Sequence, residues 1–110
     1  MTEVYLKVHE RVFLGKATKV LALCDAELFE EKRVLQEGET TIDLSRYRRF
    51  YDGEKVTVEE AVAKIGAKKD FASANAVGEK SVKVVRESFG AGAGGAVLVE
   101  GVPTLQLYFL

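Results

Sequence analysis

The chain has no tryptophan, and cysteine, proline, histidine, methionine and asparagine occur once each. A lone Cys24 cannot form an internal disulfide, and no repeated Cys/His spacing supplies a zinc site. A core must therefore hold the fold, and a reducing, cytoplasmic setting fits. With His9 as the sole histidine, two-histidine metal sites are excluded and no Ser-His-Asp or Cys-His set can be assembled; His9 reads as an exposed residue of a strand. No apolar run approaches the roughly 20 residues needed to cross a bilayer, so no membrane partner is expected. The opening MTEVYLKVHE alternates charged with apolar residues, unlike a leader peptide. Sparse Asn, Gln, Met and Cys beside 30% charged residues match the balance of a thermophile protein. No cofactor motif is present.

At 110 residues, the length corresponds to one domain spanning 1–110, large enough to bury a single core. The net charge of −1 is unevenly spread: residues 1–45 hold six Lys/Arg against nine Asp/Glu, and residues 46–110 hold ten against eight. The resulting −3 and +2 neither require nor exclude a nucleic-acid partner.

Along the chain, Val4, Leu6 and Val8 alternate with Tyr5, Lys7 and His9, the period of a half-exposed strand. Lys19–Cys24 is apolar on both faces, as a central strand would be, and a link containing Gly15 predicts an antiparallel hairpin. Asp25 is placed to cap a short helix over Ala26–Glu30. Glu37-Gly38-Glu39 reads as a turn and Thr40–Leu44 as a third strand. Asp52-Gly53 marks a turn between Phe50-Tyr51 and Lys55-Val56. Thr57 and Glu60 have capping-box spacing, ahead of a helix buried through Val58, Ala61, Val62 and Ile65 and ending at Gly66.

The stretch Asp70–Gly95 carries Ala74, Val77, Gly78, Ser81, Val82, Val85 and Phe89 three and four apart. That spacing predicts one long helix capped by Asp70 or Ser73, with Gly78 on its buried face and Gly90 as a left-handed stop. Ala96–Val99 and Leu105–Leu110 flank Gly101 as a closing hairpin, with Pro103 at a strand start or edge. Strands, then helices, then strands indicate an α+β domain: a mainly antiparallel sheet of about five or six strands with two helices packed on one face.

Five groups of residues are candidates for function. Arg46, Arg48 and Arg49 interleave with Tyr47, Phe50 and Tyr51, a mixture that suits the phosphates and bases of single-stranded nucleic acid; the alternative is a solvated strand with its aromatics turned inward. At the expected start of the long helix, free amides with Ser73, Asn75 and Lys80 could hold an anion or RNA phosphate, or simply be capped. Cys24 beside Asp25 could act as a nucleophile, or be an inert core thiol. Gly90, Gly92 and Gly95 spell G-x-G-x-x-G, but they follow a helix and precede a strand, the reverse of a dinucleotide site, and read as a loop. In LQLYFL, Leu105, Leu107 and Phe109 should face the core and Gln106, Tyr108 and Leu110 the other side, so this strand could add to a partner's sheet.

Taken together, ALCDAEL, SANAVGEKSV and GVPTLQ resemble the motifs of the archaeal domain-of-unknown-function four-two-four family over nearly the whole length. Cys24, Asp25, Glu27 and Leu28 match its strand-ending Cys-Asp. Ala74, Asn75, Val77, Gly78, Glu79 and Lys80 match its Ala-Asn-x-Val-Gly-Glu-Lys/Arg segment. Gly101, Val102 and Pro103 match its terminal motif, although Thr104 stands where that motif has histidine, which weakens an enzymatic reading. The resemblance implies a small archaeal protein, with a role around RNA or the translation machinery. The expected function is a non-enzymatic module binding RNA or ribonucleoprotein, the alternatives being protein interaction through the C-terminal strand and catalysis by Cys24 and Asp25.

Overall fold

The alternating N-terminus and the doubly apolar run after it form β1 (Glu3–Phe13) and β2 (Lys16–Asp25), paired antiparallel from Val4↔Asp25 to Phe13↔Lys16. The chain continues through α1 (Ala26–Glu30), β3 (Val34–Glu37), β4 (Thr40–Asp43), α2 (Arg48–Tyr51), β5 (Glu54–Thr57) and α3 (Val58–Gly66). It then enters β6 (Phe71–Val77), α4 (Glu79–Phe89), β7 (Val97–Val99) and β8 (Val102–Tyr108). This computed structural model describes residues 3–31, 34–46, 48–66, 71–90 and 95–108, without the side chains of Arg11 and Phe13. Tyr47, Asp70, Gly92, Phe109 and Leu110, each part of an expectation above, lie outside the described residues.

The fold is α+β. One six-stranded sheet runs β5-β1-β2-β6-β8-β7, antiparallel at every pairing except the parallel β2–β6, and β3–β4 form a separate two-stranded ribbon. Two hairpins of the main sheet close through two-residue loops, Leu14-Gly15 and Glu100-Gly101. Both residues of each loop have positive φ, the handedness that matches strand twist.

Side-chain alternation splits the sheet into two packed faces. On the first, Leu21, Leu23, Ala74, Ala76 and Leu105 meet Ala61 and Ile65 of α3 and Val82 and Val85 of α4, the two helices expected on one face. Thr57 and Glu60 form the capping box that starts α3: Glu60 N–H donates to Thr57 Oγ1 and Thr57 N–H to Glu60 Oε1, each at 3.1 Å. On the second face, Ala22, Cys24 and Val77 are covered by Leu35 of the ribbon, Leu44 and Tyr51.

Three of the expectations set out above are overturned here. The long helix starts at Glu79, and its expected first half, with Ser73 to Val77, is the strand β6. Alanine favours helix intrinsically, but a central strand buried on both faces loses the alternation that would reveal it, and tertiary pairing with β2 and β8 decides. The strand expected at Thr40–Leu44 does form, as β4, and it pairs with β3 in the ribbon. Arg48–Tyr51 is one turn of helix and not a strand. His9 is half-buried: its ring stacks on Phe50 at 4.7 Å, and Nε2 lies 2.8 Å from the Phe50 carbonyl oxygen.

Candidate functional site

Asp25 ends β2, but its carboxylate does not cap the adjacent α1. It reaches across the sheet to α4, where Oδ1 accepts hydrogen bonds from Ser81 N–H and Ser81 Oγ–H, both at 2.8 Å, and Oδ2 accepts from Lys80 N–H at 3.2 Å. A carboxylate there satisfies amides that open the helix and faces the positive end of its dipole.

Gly78 makes this reach possible. It has φ +109° and ψ 158°, a conformation essentially reserved for glycine, and a Cβ there would lie 2.2 Å from Asp25 Cγ. Its N–H donates to the Pro103 carbonyl at 2.8 Å. The ammonium of Lys80 meets Glu27, which holds that exposed carboxyl below its ordinary range. The Cys-Asp, Gly-Glu-Lys and Gly-Val-Pro segments thus converge at one corner of the sheet, around a cleft of about 210 Å³.

This corner uses up one anticipated site. The amides meant for an anion are occupied by the protein's own carboxylate, and Ser73 and Asn75 lie on β6, away from the helix start that holds Lys80. Cys24 is fully buried, and burial, with the charge of Asp25, pushes its thiol up to about 12. At pH 7 it stays protonated, so this thiol is not an activated nucleophile. Gly90 has positive φ at 104°, but its ψ of 149° places it outside the left-handed helical region.

The arginines are more accessible. Arg46, Arg48 and Arg49 are exposed, and Arg48 and Arg49 make no ion pair among the described residues. The Lys7 ammonium donates to the Arg49 carbonyl at 3.0 Å and adds a cation to this face. The aromatics beside them turn inward: Phe50 stacks on His9, and Tyr51 meets Phe50 edge-on at 4.9 Å while lying in the second core.

Tyr51 also borders a larger cavity of about 480 Å³ over the second face. Its floor is β6 and β8, with Asn75, Thr104 and Gln106; its walls come from Thr41 and Ile42 of β4 and from Val97 and Val99 of β7. Two residues singled out for different reasons, Tyr51 and Asn75, therefore share one site. Gln106 was expected only to face away from the first core; its register opposite Asn75 follows from the β6–β8 pairing, which no local pattern shows. Thr104 lines the same cavity, with its hydroxyl donating to the Val97 carbonyl at 3.0 Å.

Among the described residues, no group of three or more His, Cys, Asp or Glu side chains is arranged to hold a metal ion, and no helix is long and apolar enough to cross a membrane.

A family model described as "Protein of unknown function (DUF424)" matches residues 14–110. No curated protein matches the chain. Among solved structures, the chain is similar to an uncharacterized conserved protein from Methanopyrus kandleri, with 29% identity and a TM-score of 0.80, over 99% of this chain and 93% of that one.

Proposed function

The chain belongs to the family described as Protein of unknown function (DUF424), and from that premise we propose that it is a non-enzymatic module that binds RNA, alone or in a ribonucleoprotein such as the translation machinery. The observation that carries this reading is the helix α2 and the turn before it, which present Arg46, Arg48 and Arg49 to solvent. The inward turn of Phe50 and Tyr51 removes them as an open stacking platform, so this face contacts phosphates and contributes little base preference of its own.

About three phosphate contacts on a single strand imply a slope near −2 in log affinity against log salt, or roughly a 20-fold loss between about 50 and 200 mM. Titration of labelled single-stranded RNA at the two salt concentrations tests this. The doubly reversed variant Arg48→Glu/Arg49→Glu should bind far more weakly at low salt. Absence of binding by the unaltered protein at low salt, or affinity indifferent to salt, would overturn the reading.

A second reading is protein interaction through the C-terminal strand. β7 pairs only with Val102–Thr104, so among the described residues Leu105–Tyr108 is hydrogen-bonded to β6 alone, and Tyr108 is 76% exposed. Native mass measurement distinguishes the two: a stoichiometric protein complex lost on deleting 105–110 favours this reading, and a lone chain at all concentrations opposes it.

A further inference from the structure

A chain that almost dispenses with carboxamides places two of its three side by side. Asn75 is the only asparagine and Gln106 one of two glutamines, and they are direct partners in the antiparallel β6–β8 register, facing the cavity of about 480 Å³. Among the described residues neither side chain has a hydrogen-bond partner. Each carboxamide offers one acceptor oxygen and two N–H donors, so the pair forms an uncommitted donor–acceptor edge on the cavity floor.

The rest of the lining narrows what can occupy it. Among the described residues, no Lys, Arg, Asp or Glu lines the cavity. A phosphate or other full charge would find no opposite charge among these residues, so the group they would recognise is neutral. Ile42 and Val97 give accessible apolar surface to the same cavity, with Val99 and Tyr51 buried behind its lining. A sugar would turn hydroxyls onto that surface, whereas a flat heterocycle presents apolar faces to the walls and a donor–acceptor rim to the floor. Asparagine and glutamine read such rims by paired hydrogen bonds.

We infer that the cavity between the second face of the sheet and the β3–β4 ribbon is a nucleobase subsite, with Asn75 and Gln106 hydrogen-bonding the edge of one unpaired base. The inference rests on the RNA reading only for the source of the base: α2 carries Tyr51 at the cavity and Arg48 and Arg49 outside it, so a strand held by its phosphates could place a base inside. A free nucleoside has the same chemistry.

The test is titration of the full ¹⁵N-labelled chain with each of the four nucleosides and, separately, with ribose 5-phosphate, observed by NMR. With one asparagine and two glutamines, the spectrum contains only three carboxamide NH₂ pairs. The Asn75 and Gln106 pairs should shift with at least one nucleoside at millimolar concentration and stay still with ribose 5-phosphate. Asn75→Leu should weaken binding about tenfold or more. Gln106→Met, at an exposed position, should weaken it likewise. Nucleosides that leave both pairs unmoved, or binding unaffected by Asn75→Leu and Gln106→Met, would overturn the subsite.

Single-stranded RNA supplies the second arm. RNA that binds and also shifts the Asn75 and Gln106 pairs supports both proposals. Nucleoside binding without RNA binding supports the subsite, with a free nucleoside as its ligand, and removes the RNA reading. RNA binding with both pairs silent to RNA and to every nucleoside overturns the subsite and leaves the arginine face standing.

Discussion

Gly78→Ala places a methyl group 2.2 Å from Asp25 Cγ and 2.4 and 2.5 Å from its two carboxylate oxygens. Something must shift. The backbone at φ +109° and ψ 158° costs a non-glycine residue about 1–3 kcal/mol. Displacing the carboxylate then strands the Ser81 amide and hydroxyl inside the protein, at about 1–3 kcal/mol for each group left unsatisfied. Partial relaxation reduces the sum, and a net loss of about 3–5 kcal/mol is expected, against a total stability of about 5–15 kcal/mol for a domain. At roughly 4 °C per kcal/mol, Tm should fall by about 12–20 °C. Thermal and denaturant unfolding followed by circular dichroism measure this directly. The partner variant Asp25→Ala removes the obstacle along with the cap. The double variant should therefore lose less than the sum of the single losses, because contacting residues do not add. Strict additivity, or a Gly78→Ala protein as stable as the parent, would refute the argument that this glycine exists to admit the carboxylate.

Two other glycines behave oppositely. A Cβ at Gly53 would lie 2.1 Å from the Leu6 carbonyl oxygen on β1, so Gly53→Ala should destabilise and loosen the β1–β5 edge; Gly66, with open space around its missing Cβ, should gain about 0.4–1 kcal/mol as alanine. Cys24 should label only on unfolding at pH 7–8. Its folded thiol is raised to about 12 against about 8.5 in the unfolded chain. The unfolded state therefore loses its proton first as pH rises. The stability this contributes is complete below about pH 8.5 and is lost progressively towards pH 12, which a denaturation midpoint falling in that window would show and fast native labelling would contradict.

The elements legible in the sequence were those whose cause is local. Thr57 and Glu60 announce α3 because both halves of the capping box lie within one turn. Val4, Leu6 and Val8 announce β1 because one face is wet enough to keep the alternation. β6 fails both tests: it is small-residued and enclosed, so its alanines fitted the helical spacing of the residues beyond Gly78. Asp25 was recognised as a cap, but of the helix next to it; the helix it serves begins more than fifty residues later. The candidate site shows the same divide. Tyr51 and Asn75 stood out on chemistry alone, while their meeting in one cavity and the pairing of Asn75 with Gln106 depend on strand order. No periodicity encodes that order.

The single parallel pairing fixes when the fold can be completed during synthesis. The β1–β2 hairpin needs only the first 25 residues, but the other edge of β2 waits for β6, whose partners run from Phe71 against Lys19 to Val77 against Cys24. A nascent chain therefore carries Leu21–Cys24, the most enclosed strand of the finished sheet, as an open and wholly apolar edge until the ribosome has added some fifty further residues. Such an edge invites pairing with a neighbouring chain, and contacts this distant in sequence form slowly. The elements that cover the second face of β2, among them the ribbon and α2, are all encoded between the two strands and so are synthesised before that edge can be closed.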